Sequence, residues 1–140
     1  MQLSFALYSA ANRMARLHKP LLEPMGLTFP QYLVLLELFS FAPQTVGQIG
    51  AKLGMDTGTI TPLLKRLEAG GSITRRRDPA DERRVLISLT AAGKALRKPV
   101  WGVTEQIKTA CELGERELAA LQHTLDGLAF PPVNEVEAGE

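Results

Sequence analysis

The chain has 140 residues, 45% of them hydrophobic, which is enough for one compact domain with appended helices and excludes disorder over its whole length. Its longest apolar runs, such as Tyr32 to Leu36, fall far short of the roughly 18 residues that cross a bilayer, and its single cysteine, Cys111, excludes an intramolecular disulfide and a thiolate metal cluster. The net charge of +1 is unevenly spread: Lys65 to Lys98 holds ten Lys or Arg against four Asp or Glu, while the remainder carries six against eleven. A basic segment in an acidic frame suits a polyanionic partner, although a charge run read alone is also what a solvated face looks like. With no basic and apolar leader at the N-terminus, a soluble, cytoplasmic protein without membrane contact is expected.

In chain order, Leu3, Leu7, Ala11, Met14, Leu17 and Leu21 predict a first helix, broken or bent at Pro20 and ended by Pro24-Met25-Gly26. Thr28-Phe-Pro-Gln is a capping box with proline in the first turn, and the apolar run to Phe39 predicts a helix buried on most sides. Thr45-Val-Gly-Gln repeats the device for a short helix with Val46, Ile49 and Leu53 on one face, stopped at Gly54. Asp56 caps the next, whose stripe is Ile60, Leu63, Leu64 and Leu67 and whose end is Gly70-Gly71. The Arg-rich stretch after Ser72, a polar loop around Pro79, and the alternation of Val85, Ile87 and Leu89 read as a hairpin, its second strand being the one convincing β segment. Thr90 caps a long helix with Leu96, Val100, Val103 and Ile107 on one side, bent by Pro99 and Gly102. A last helix carries Leu118, Leu121, Leu125 and Leu128, after which Phe130-Pro-Pro and the acidic residues to Glu140 are expected to fray.

Short helix, tight turn, second helix and basic hairpin form the winged helix-turn-helix arrangement, in order between Thr45 and Thr90. The fold class is therefore mainly α with a small β-hairpin wing. Opposite the apolar stripe of the second helix lie Gly58, Thr61, Pro62 and Lys65, with Thr59 and Arg66 on one shoulder. Small residues allow close approach to a major groove, threonine methyls meet thymine methyls, and Lys65 and Arg66 reach guanine edges or phosphates. Pro62 forfeits a bond to the Gly58 carbonyl at a cost of about 3 kcal/mol against alanine, which points to a surface chosen for something other than helix stability; the plainer reading is a tolerated kink relieved by Gly58. In the hairpin, Arg75, Arg76, Arg77, Arg83 and Arg84 exceed what solubility needs and suit a wing in the minor groove, with Arg77, Arg83 and Arg84 taken as contacts. Asp81 is expected to brace an arginine, leaving Arg83 near the tip as the candidate for insertion.

Catalytic readings find little support. His18 and His123 lie on different predicted helices without metal-ligand spacing and are expected to be half-exposed, and neither a nucleophile elbow nor a phosphate-binding glycine loop is present. No metal, cofactor or enzymatic activity is expected. From a different class, the alternative is a helical partner-binding protein whose basic face contacts an acidic protein.

Across nearly its whole length the sequence resembles the MarR family of winged-helix repressors, and within it the organic-hydroperoxide regulators (OhrR). The resemblance is carried by QLSFALYSA, KPLLEPMGLTFPQYLVLL, MDTGTITPLLKRLEAGG and TRRRDPADERRVLISLTAAG. It implies a homodimer held by residues 1–27 and 91–130, a DNA-binding domain over 28–90, an acidic disordered tail over 131–140, and a palindromic double-stranded operator. That branch senses peroxide through a cysteine early in the first helix, activated by tyrosine hydroxyls. In this chain the cysteine position is Ser4; Tyr8 matches one tyrosine, while His18 and Phe29 stand where two others would be. A serine hydroxyl forms no thiolate and no sulfenic acid, so thiol-based sensing is expected to be absent. Either Ser4 replaces a sensor cysteine by design, or the chain has diverged to another signal, an inducer such as a small aromatic ligand acting near Ser4, Tyr8, His18 and Phe29. Cys111 lies near where some members carry a resolving thiol, and reads otherwise as a small buried hydrophobe.

Overall fold

A computed structural model describes residues 2–128; the expected fraying from Phe130 onward and the acidic tail lie outside them. The described residues up to Ile107 form one unit and those from Lys108 onward a second. Helix α1 (Leu3–Leu22) is continuous through Pro20. The break expected there does not occur, because a proline two residues from the helix end sacrifices only the bond to the Arg16 carbonyl, and Leu22 beyond it is completely buried. A 3-10 turn (Glu23–Met25) then stops at Gly26, whose left-handed conformation turns the chain into α2 (Phe29–Ser40).

The Thr28–Gln31 capping box opens α2, and Tyr32, Val34, Leu35, Leu38 and Phe39 are buried along it. A two-residue strand β1 (Gln44–Thr45) follows, which the sequence did not announce. Gln44 is 1% exposed, and its amide donates to the Glu37 and Phe41 carbonyls, so a buried polar residue is satisfied by the end of α2. Then come α3 (Val46–Leu53), α4 (Thr57–Ala69), β2 (Ile73–Asp78) and β3 (Asp81–Leu89). The strands form an antiparallel sheet in the order β1-β3-β2, with Gln44 opposite Ile87 and Arg75 also opposite Ile87 from the other side. The polar loop expected around Pro79 shrinks to the two residues between β2 and β3.

The long helix expected after Thr90 is two helices, α5 (Ala91–Ala95) and α6 (Arg97–Cys111). Pro99 accounts for the break: its missing N–H and its ring oppose an uninterrupted ladder, whereas a fresh start at Arg97 places it in the first turn, where neither matters. Gly102 does not interrupt α6, and Val100, Val103 and Ile107 are buried as the stripe requires. Gly93 allows a close crossing: a Cβ there would lie 2.0 Å from the Ser72 carbonyl oxygen, which already accepts the Thr90 N–H at 3.0 Å. In the second unit, α7 (Glu115–Asp126) starts at Gly114 and leaves Leu121 and Leu125 exposed.

Candidate nucleic-acid interface

The turn between α3 and α4 is tight because two glycines permit it. Gly54 is left-handed, and Gly50 sits so close to the Met55 carbonyl that a Cβ would be 2.9 Å from its oxygen. Thr45 and Asp56 cap the two helices, accepting the N–H groups of Gln48 and Thr59. Helix α4 buries Ile60, Leu63, Leu64 and Leu67 and exposes Thr59, Pro62, Lys65 and Arg66, with Thr61 half-buried. Among the described residues Lys65 and Arg66 have no ion-pair or side-chain hydrogen-bond partner, which leaves their donors for an outside partner.

Three arginines in the hairpin are held by carboxylates. Arg83 is braced by Asp81 through Nε at 3.0 Å and Nη2 at 3.1 Å, while its side chain stays 90% exposed. Asp81 braces an arginine as expected, but that arginine is the tip candidate Arg83 itself, because residues two apart on a strand share a face. Water screens an exposed pair of this kind, so its main effect is to aim the guanidinium, with little added to the stability of the fold. Arg84 donates to Asp78 at 2.8 Å, and Asp78 also accepts the Ala80 N–H across the turn. The Arg83 hydrogen bond holds the Asp81 carboxyl below its usual range, and for Asp78 the Ala80 N–H and then Arg84 do the same. Arg77 donates to the Glu82 carbonyl at 2.8 Å. Arg75 is taken up by Glu68 of α4. Arg76, outside the expected contact set, is exposed and has no ion-pair partner among the described residues.

A cavity of about 350 Å³ separates α4 from the hairpin, bordered by Thr45, Thr57, Thr61, Arg75, Arg83 and Arg84. The threonine hydroxyls with the guanidiniums of Arg83 and Arg84 make a donor set that phosphate oxygens accept.

The four residues grouped at the sensor position are not gathered in one place. Ser4 and Tyr8 are exposed on the N-terminal half of α1, and His18 lies ten residues beyond Tyr8, about 15 Å along the helix. His18 is buried, 4% exposed, which corrects the half-exposed expectation. Its Nδ1–H donates to the Met14 carbonyl at 2.7 Å, and its ring packs 4.4 Å from Phe29 and 5.2 Å from Tyr32 between centroids. Tyr32, not singled out from the sequence, shares a 2.6 Å hydrogen bond with Thr104 of α6, and burial raises its phenol above the usual value. Beside Phe29 opens a second cavity of about 440 Å³, walled by Ala15, Leu27 and Phe29 with Arg16, Lys19 and Glu23. Cys111, in the C-terminal unit, is half-buried and free of any disulfide, and His123 is exposed. Among the described residues no cluster of His, Cys, Asp or Glu is placed to hold a metal, and no helix is long and apolar enough to cross a membrane.

The family described as transcriptional regulator SarA/Rot matches residues 16–98. The organic hydroperoxide resistance transcriptional regulator of Bacillus subtilis is 41% identical over 124 residues, covering 89% of this chain and 84% of that protein. The chain belongs to the MarR-type winged-helix transcriptional regulators. Among solved structures it is similar to reduced AbfR bound to DNA, with TM-score 0.73, 34% identity and 91% of each chain covered. It is likewise similar to a mutant MarR of E. coli complexed with operator DNA, with TM-score 0.76, 25% identity, and 93% and 95% covered. This MarR-type protein is a DNA-binding regulator and not an enzyme, and its winged helix is the part just described.

Proposed function

We propose that this MarR-type regulator is a homodimeric repressor that places α4 of each copy in successive major grooves of a palindromic operator. Thr59, Thr61, Pro62, Lys65 and Arg66 contact the major groove, and Arg77, Arg83 and Arg84 of the wing contact the minor groove and its phosphates. The observation that carries the reading is the exposed face of α4, where Lys65 and Arg66 pair with no described residue, together with a cavity that Thr57 and Thr61 of the same helix share with Arg83, the arginine held outward by Asp81. Dimerisation through the terminal helices is supported by exposed Leu3, Phe5, Leu7, Tyr8, Met14 and Leu17 on α1, a larger apolar surface than a lone helix leaves in water. Half-site spacing of about one helical turn follows from two-fold symmetry.

At the signal end, Ser4 and Tyr8 of one copy meet His18 and Phe29 of the other, since one chain keeps them apart. Without a thiol at position 4, organic hydroperoxides do not release this protein from DNA. A regulator answering a small aromatic ligand is the second reading, favoured by the cavity beside Phe29 with its apolar wall and a rim of Arg16, Lys19 and Glu23.

Titration of the chain into a palindromic duplex and a scrambled one, at several salt concentrations and with or without cumene hydroperoxide, tests both halves. Steep loss of binding with salt, strong preference for the palindrome and indifference to hydroperoxide are expected. Equal binding to the scrambled duplex would refute the repressor reading; release of the parent chain by hydroperoxide would refute the reading of Ser4.

A further inference from the structure

Glu68 stands in the last turn of α4, where the exposed carbonyls of the helix disfavour a negative charge. A residue selected for the stability of α4 alone would not be acidic there. Its carboxylate reaches out of the helix to β2: Oε2 accepts the backbone N–H of Arg75 at 3.0 Å, and Oε1 accepts the Nε–H of the same residue at 3.1 Å. Strand β2 is an edge of the sheet, and an edge strand has N–H groups left over by the ladder; one of them is taken here by the recognition helix. Beyond this contact β2 and β3 continue as a two-stranded ribbon to Asp78 and Asp81.

We infer that Glu68 is the positioning residue that fixes the angle between the recognition helix and the wing, and thereby decides whether the wing arginines and α4 reach their grooves together. The inference rests on the proposed contacts of Arg83. The leverage is geometric. Arg83 lies four residues outward from Ile87, the partner of Arg75, or about 13 Å along the strand, so a tilt of about 10° at the clamp moves the tip by about 2 Å. That displacement exceeds the tolerance of a hydrogen bond, which spans only a few tenths of an ångström. Because the clamp uses both a side-chain and a backbone donor of Arg75, it restrains the strand itself and not merely a flexible side chain. It also withdraws Arg75 from the set of arginines available to DNA.

A double-mutant cycle separates positioning from simple structural support. Operator affinity is measured by fluorescence anisotropy for the full-length parent, Glu68→Gln, Arg83→Ala and the double variant, with thermal melting of each. Glu68→Gln is expected to weaken operator binding by about tenfold, the scale of one lost groove contact, while Arg83→Ala weakens it similarly. In the Arg83→Ala background the Glu68→Gln change is expected to cost less than about twofold, because there is no tip contact left to misaim. Effects that multiply in the double variant would overturn the inference while leaving the wing reading intact. An Arg83→Ala protein that binds as tightly as the parent would overturn the wing reading and the inference with it. Should Glu68→Gln melt too low to assay, Arg75→Lys keeps the backbone bond and removes the Nε donor, and the same cycle with Arg83→Ala decides the matter.

Discussion

The crossing of α5 over the start of β2 depends on Gly93, and substituting alanine measures how much. A Cβ at Gly93 would stand 2.0 Å from the Ser72 oxygen, 3.0 Å from its carbonyl carbon and 3.2 Å from Leu89 Cδ2. Restoring an ordinary contact requires the Ser72 carbonyl to move by more than 1 Å, and that oxygen accepts the Thr90 N–H. Forcing an added methyl into a packed site costs about 1–3 kcal/mol, and stranding a buried donor costs about 1–3 kcal/mol more. The intrinsic helix preference of alanine returns about 1 kcal/mol, leaving a net loss of roughly 1–5 kcal/mol. For a domain near 100 residues each kcal/mol of that loss lowers the melting temperature by about 4–8 °C. Gly102 is the control, since nothing lies within 4 Å of its added Cβ, so Gly102→Ala is expected to stabilise by about 0.5–1 kcal/mol. Chemical and thermal denaturation of both variants give the comparison. If Gly93→Ala melts at or above the parent, backbone contact does not hold α5 to the sheet and the argument fails.

Pro62→Ala restores an N–H that can reach the Gly58 carbonyl, so it is expected to raise stability by about 1–3 kcal/mol while weakening operator binding. Tighter operator binding by this variant would show the proline to be a tolerated kink rather than a contact. The acidic limit of the wing follows from Asp78 and Asp81. Their carboxyls are held below the usual range in the folded protein, so the stability they contribute is present above the unfolded value and lost as pH falls through the folded one. Hydrogen exchange of hairpin amides should therefore show a closed wing from neutral pH down to about pH 4, with opening only in stronger acid. Opening already above pH 5 would mean that other groups control the hairpin.

What the sequence disclosed was whatever local chemistry dictates. The boxes Thr28–Gln31 and Thr45–Gln48 marked helix starts because a cap satisfies donors within its own turn, and the stripe of α4 showed its buried face because one helix repeats its own geometry. Strand β1 escaped notice because two residues carry no period, and its pairing with β3 spans some forty positions. The sequence predicts a half-exposed His18 because burial of an imidazole depends on an acceptor, and here the acceptor is the carbonyl one turn back, a bond that polarity scales do not represent. The pairing of Asp81 with Arg83 was within reach of the sequence through the two-residue period of a strand, whereas the clamp from Glu68 to Arg75 crosses a turn and needed the fold.

The proposed sensor region bears on what a restored thiol would do. In Ser4→Cys the sulfur would sit in the first turn of α1, where free N–H groups favour a thiolate, with Tyr8 one turn further on. The remaining help would have to come from positions 18 and 29, and neither side chain supplies a hydroxyl. Phe29 has no donor, and the Nδ1–H of His18 is committed to Met14. Ser4→Cys alone is therefore expected to form sulfenic acid with an organic hydroperoxide at least about tenfold more slowly than a variant that also carries His18→Tyr and Phe29→Tyr, since each lost hydrogen bond to a charged group is worth about 1.5–3 kcal/mol. Sulfenic-acid trapping followed across pH 6–9 reads both the rate and the thiol titration. Equal rates in the two variants would mean that positions 18 and 29 play no part in activating a thiol at position 4, and the proposed meeting of the four residues across two copies would fall. A large gain on adding the tyrosines would instead show that three substitutions, and not one, separate this chain from a peroxide sensor.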